Sequence, residues 1–166
     1  MKSSEVLIDA FSRIRRVVHS TVDALSTEEL AYRPTETANS IGWLVWHLTR
    51  VQDDHVADAG DLDQVWMAQG SQKRFDLPFD PSATGYGQRV SEVAAVRTTA
   101  ELLVGYHDAV FSQTEKFVQN LTDADLDRIV DEGWDPPVTL GVRLVSVISD
   151  DLQHVGQAAY LRGLLA

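Results

Sequence analysis

The stretch Asn39-Ser-Ile-Gly-Trp-Leu-Val-Trp-His-Leu-Thr-Arg-Val-Gln-Asp-Asp-His-Val-Ala-Asp58 decides the fold. Asn39 and Ser40 carry side-chain oxygens suited to the free amides of a first helical turn, so a helix is predicted to begin there. From Ile41 to Leu48 the sequence is apolar nearly all round. A helix without a polar face has to be covered on every side, which makes this one central. His47 lies inside that apolar run, between Trp46 and Leu48.

The flanking sequence is helical too. From about Ser3 to Ala24, Val6, Leu7, Ala10, Ile14, Val17, Val18 and Val22 recur at helical spacing with charges between them. Ser26-Thr-Glu-Glu29 reads as a helix-starting box, and Pro34 ends any helix it starts. A third long helix is predicted from about Thr99 to Asn120, with Leu102, Leu103, Tyr106, Val110, Phe117 and Val118 on its stripe. Pro136-Pro137 is a stop, and a last helix is predicted from about Thr139 almost to the C-terminus.

Between Gly60 and Gln88 the periodicity breaks. Gly60, Gly70, Pro78, Pro81, Gly85 and Gly87 are interleaved with Trp66, Phe75, Phe79 and Tyr86, and the short element Arg89–Val96 follows. This reads as a long crossover whose aromatics pack over a pocket, with Trp43 and Trp46 from the second helix. A short internal repeat, Leu25–Arg33 against Leu121–Arg128, follows the first and third long helices alike. The expectation is a single all-α domain spanning residues 1–166, a four-helix bundle with a long crossover between its second and third long helices.

Composition removes several functions. Twenty-five acidic residues against 14 basic ones give a formal charge of −11, which repels nucleic-acid backbones and anionic membranes. The absence of cysteine excludes disulfides and a catalytic thiol supplied by the chain. The first residues alternate apolar and charged, without the apolar block of a signal peptide, and no stretch is long enough to span a bilayer. A cytoplasmic location is expected.

Five histidines are present: His19, His47, His55, His107 and His154. His154 follows Asp150 by four residues, so on a helix the two share a face with Cβ atoms about 6 Å apart. Such a pair, facing inward, can share one metal ion, and His47 from the central helix is the natural third ligand. Three protein ligands leave a position open. The alternative is a core histidine hydrogen-bonded to Asp150 across one turn. Asp151 points elsewhere on the wheel and reads as surface. His55 shares the face of His47 two turns on, and His19 and His107 lack comparable company. Arg162 lies eight residues after His154, roughly on its face, and is a candidate for an anionic substrate group or for a salt bridge to a neighbouring helix. Gln157 is a candidate to orient a ligand, and Trp43 to line the substrate space.

Two stretches carry a family resemblance. Asn39-Ser-Ile-Gly-Trp-Leu-Val-Trp-His-Leu-Thr-Arg50 resembles the second-helix motif of the DinB-like metal-binding four-helix bundles, and Asp150-Asp-Leu-Gln-His-Val-Gly-Gln-Ala-Ala-Tyr-Leu-Arg162 resembles their last-helix motif. Thr84-Gly-Tyr-Gly87 and Ser91-Glu-Val-Ala-Ala-Val-Arg97 are similar to the actinobacterial branch that includes mycothiol-dependent enzymes such as maleylpyruvate isomerase. The resemblance implies a metal held by His47, His154 and the residue four before it, where many members have histidine, the mycothiol-dependent branch tends to have glutamate, and this chain has Asp150. Two imidazoles and a carboxylate suit zinc, nickel or ferrous iron, and zinc is the first choice. The branch implies mycothiol or a related small thiol as cosubstrate, held by the metal as thiolate, and hence an S-transferase acting on a small-molecule substrate. A metal-dependent hydrolase and a non-catalytic metal- or small-molecule-binding bundle are the alternatives. Bundles of this kind often pair, so a homodimer is expected.

Overall fold

The computed structural model describes residues 2–165; Met1 and Ala166, which the expected domain includes, lie outside the described residues. The chain is mostly helical. Among the described residues are four long helices, α1 (Ser3–Val22), α3 (Ile41–Gly60), α7 (Ala100–Val118) and α8 (Leu140–Gly163); the short helix α2 (Thr27–Leu30) lies between the first two, and α4 (Val65–Ala68), α5 (Ser71–Phe75) and α6 (Val90–Ala94) lie between α3 and α7. The starts of the last three long helices fall where the capping residues put them. Ser40 Oγ accepts from the Trp43 amide at 3.1 Å, Thr99 Oγ1 from Leu102 at 3.3 Å, and Thr139 Oγ1 from Val142 at 3.3 Å.

Each long helix packs on two others: α1 on α7 and α8, and α3 on the same pair. Ile14, Val18, Leu44, Leu48, Leu103 and Leu144 meet in the middle and are shielded from solvent. Each such side chain contributes on the order of 2 kcal/mol of burial, which is what holds the helices together. All ten residues from Ile41 to Arg50 are buried, so α3 is central as its composition requires.

The crossover differs from expectation in two ways. It carries two short helices, because Asp53 on α3 caps α4: its carboxylate accepts from the amides of Val65 at 2.9 Å and Trp66 at 2.8 Å. Its aromatics also fill space rather than line it. Trp66 packs at 6.3 Å from Trp46, 5.3 Å from Phe75 and 5.1 Å from Tyr106, centroid to centroid, in the buried core. Tyr86 is the exception, 93% exposed. Arg50, wholly buried, fastens the same segment by donating to Gln64 Oε1 at 3.0 Å and to the Ala83 carbonyl at 3.1 Å.

A small antiparallel sheet, β1 (Ile129–Asp131) with β2 (Val138–Thr139), departs from a purely helical chain. The repeated capping pattern is half realised. Ser26 and Glu29 close a reciprocal box that starts α2, whereas Thr122 and Asp125 make the same contacts and yield a single 3-10 turn, Asp125–Asp127.

Candidate metal centre

α3 and α8 pack tightly along their length, and that contact brings together residues more than one hundred positions apart. His47 from α3 and Asp150 and His154 from α8 each offer a ligand atom, and these atoms lie within 4.8 Å of one another. Tetrahedral coordination at about 2.1 Å spaces ligand atoms about 3.4 Å apart, so an ion would draw the three inward by about 1 Å. Only modest side-chain adjustment is needed, and the donor set suits a divalent ion.

The two imidazoles are held in one sense. His47 Nδ1 donates to the Thr84 carbonyl at 2.6 Å, and His154 Nδ1 donates to Gln157 Oε1 at 3.0 Å. In both rings Nδ1 is occupied and Nε2 is left for another partner, an arrangement typical of metal-ligating histidines. His154 Nε2 stands 3.6 Å from Asp150 Oδ1, and Asp150 Oδ2 is buried without a hydrogen-bond partner. A buried carboxylate oxygen with nothing to accept from is costly, and a cation would satisfy it.

Charge states follow from these contacts. Burial lowers the His47 pKa against the raising effect of the Thr84 carbonyl, which favours the neutral ring a metal requires. Burial works to raise the Asp150 pKa, but the contact with His154 and the nearby imidazoles outweigh it, and the carboxyl stays ionised. Contact with Asp150 raises His154.

The neighbourhood shows why His47 cannot wander. Trp43 stacks on it with centroids 4.6 Å apart and planes 18° from parallel, and Trp43 Nε1 donates to Gln88 Oε1 at 2.8 Å. Gly85 has φ +97°, and a Cβ there would sit 2.6 Å from His47 Nδ1. The Thr84–Gln88 strap thus lies on His47 and needs glycine at its closest point.

A family model described as Mycothiol-S-transferase matches residues 6–166. The chain belongs to the mycothiol-S-transferase family. A conserved protein from Enterococcus faecalis, known from its crystal structure, is similar at 28% identity with a TM-score of 0.91, covering 98% of this chain and 96% of that one. No curated protein matches.

Within this mycothiol-S-transferase frame the remaining candidates divide. Trp43 and Gln157 contact the two histidines directly, as ring wall and Nδ1 acceptor. Arg162 is engaged at a neighbouring helix, the second of its two readings. Its guanidinium donates to the carbonyls of Thr21 at 2.7 Å and Asp23 at 2.8 Å, closing the C-terminal end of α1. His55 is not in the cluster, and its Nδ1 accepts from Arg143 at 3.2 Å.

Three residues were misjudged from sequence. Asp151 is fully buried rather than surface, with both carboxylate oxygens unpartnered, and burial followed by the Asp150 charge pushes its pKa well up. The spacing Leu144, Val147, Asp151, Val155, Ala158 would have shown it on the core stripe. His19 does have company, since its Nε2 donates to Asp108 at 2.7 Å. His107 is wholly buried beside Thr49, with Nδ1 3.1 Å from that hydroxyl. The roles of Thr84 and Gly85 were missed, and the two glycines around Tyr86 were their only local signal.

Proposed function

We propose that this chain is a metal-dependent S-transferase that uses mycothiol or a related small thiol. The convergence of His47, Asp150 and His154, with both Nδ1 atoms engaged elsewhere, is the observation that carries the reading. A bound divalent ion, zinc in the first instance, would supply the Lewis acidity that keeps a small thiol as thiolate near neutral pH. The chain's own residues do the rest. Thr84 and Gln157 fix the two rings, Trp43 walls one side of His47, and Asp150 offsets the positive charge. In the transfer the thiolate sulfur forms a bond to an electrophilic carbon, the leaving group departs with its electron pair, and the thiol proton passes to solvent. The chain has no cysteine, so the sulfur comes from outside it.

The same reading includes one DinB-like four-helix bundle domain formed by α1, α3, α7 and α8, a cytoplasmic setting and a pair of copies. Among the described residues no helix is long and apolar enough to cross a membrane.

Metal analysis of the purified protein, followed by turnover of an alkylating electrophile with and without mycothiol, tests the proposal. One equivalent of divalent metal and thiol-dependent turnover lost in His47→Ala and His154→Ala are expected. Turnover in water without thiol would replace the transferase with a hydrolase, and metal without turnover would leave a binding protein.

A further inference from the structure

The outward face of α8 differs from the exposed faces of the other three long helices. Its exposed residues are Val142, Val145, Ser146, Ser149, Leu152, Gln153, Gly156, Gln157, Tyr160 and Gly163, and none is charged. The four charged residues of α8 all turn away: Arg143 to Asp131, Asp150 to His154, Asp151 into the core and Arg162 to the end of α1. On α1, by contrast, Glu5, Asp9, Arg13 and Arg16 face solvent. In a chain of net charge −11, a 24-residue helix face without a charge is the surface on which two copies can meet without opposing like charges.

The face is also shaped for its own copy. Val145, Ser149, Leu152, Gly156, Tyr160 and Gly163 follow one another at steps of four, three, four, four and three, close to the seam spacing of paired helices with one extra residue before Tyr160. Large and small side chains alternate along it. Val145, Leu152 and Tyr160 are 60%, 49% and 70% exposed, and a Cβ at Gly156 or Gly163 would meet nothing within 4 Å. Around a two-fold axis level with His154, an antiparallel copy places Leu152 over Gly156, Tyr160 over Ser149 and Val145 over Gly163. Every layer then sets a large side chain against a small one, from both sides.

We infer that the chain forms an antiparallel homodimer along the outward face of α8. The inference deepens the pairing included above and does not depend on the metal chemistry. α8 is about 36 Å long, and a strip about 12 Å wide covers roughly 400 Å2, about half of what a standard interface uses per partner. Close fit has to supply the affinity, and a micromolar dissociation constant is expected. Gln157, which accepts from His154, lies at the rim of this seam, so the partner borders the candidate metal centre without completing it.

Sedimentation of the intact chain at ~100 μM should show a dimer, well above that dissociation constant. Leu152→Glu should weaken it at least about a hundredfold by burying a carboxylate in each of the two central layers, with unchanged helical circular dichroism because Leu152 faces outward. Register is tested by disulfides in this cysteine-free chain. Mixed Leu152→Cys and Gly156→Cys subunits should cross-link to each other, while neither does so alone. A monomer at that concentration, a Leu152→Glu dimer of unchanged affinity, or cross-linking of like variants would overturn the inference. Metal content read on the same samples separates the outcomes: a monomer that holds metal removes the pairing alone, and a dimer without metal removes the metal reading alone.

Discussion

Two acid–histidine groups sit on opposite sides of this molecule, and they are finished to different degrees. Between α1 and α7, Asp108 accepts from Arg15 Nε and His19 Nε2, each at 2.7 Å, so its charge is answered by side chains. Between α3 and α8, Asp150 meets His154 only at 3.6 Å and keeps one oxygen buried and unpartnered. Each group sets basic side chains against one aspartate, and the saturation differs. A carboxylate already satisfied by a guanidinium and an imidazole is a structural tie. One left short, with two imidazoles presenting Nε2 to it, has room for a cation.

The sharpest way to break this contrast is to remove a histidine from each side. His154→Ala or His47→Ala should reduce zinc affinity by roughly a thousandfold or more, because a ligand is lost outright, whereas His19→Ala should leave it unchanged. Competitive titration against a chromophoric chelator reads both. Equal losses would erase the distinction between the groups.

A second test concerns His107, which lies next to the saturated group. Burial lowers its pKa to about 4 from an ordinary 6.5. The unfolded chain therefore takes up this proton first as pH falls, and stability declines between about pH 6.5 and pH 4 and then levels. The difference is worth about 3 kcal/mol. Urea unfolding at several pH values should show this slope in the parent protein and its loss in His107→Gln. Asp151 acts with the opposite sign: it is neutral when folded and ionised when unfolded above its ordinary pKa, so its contribution falls as pH rises.

Gly85→Ala tests the strap over the unsaturated group. The new methyl would collide with His47 at a backbone angle that disfavours side chains, and zinc affinity should drop about 10–100-fold, as when an outer support of a ligand is disturbed. An unchanged affinity would show that the strap merely covers the ring. The smallest effect is expected from Asp108→Asn. Both of its partners are partly exposed, so about 1 kcal/mol of stability should be lost by thermal unfolding, with zinc binding untouched.

Legibility from sequence followed the range of the interactions. α3 was readable because its burial is written into consecutive residues, and Ser40, Thr99 and Thr139 mark helix starts through contacts three residues away. Asp150 and His154 were readable as a pair because helical spacing is local, and His47 was matched to them by pattern. The helices of the crossover were hidden because α4 is capped by Asp53, twelve positions from Val65. The Thr84 contact spans 37 positions, and the answer to Arg162 lies 141 positions away on α1. Asp151 was misread for another reason: a buried carboxylate without partners contradicts the usual rule for charge, and the core stripe had to be trusted over residue type.

The bond between His47 and the Thr84 carbonyl makes the crossover part of the site rather than a cover for it. Arg50 anchors the adjacent Ala83 from the same helix, so residues just before the strap are fastened one turn from the ligand ring. Whatever immobilises that imidazole also lowers the freedom of roughly a sixth of the chain, Gly60 to Gln88. Occupancy of the centre and order of this connection are then a single linked equilibrium, readable as slower amide exchange far from the ion itself.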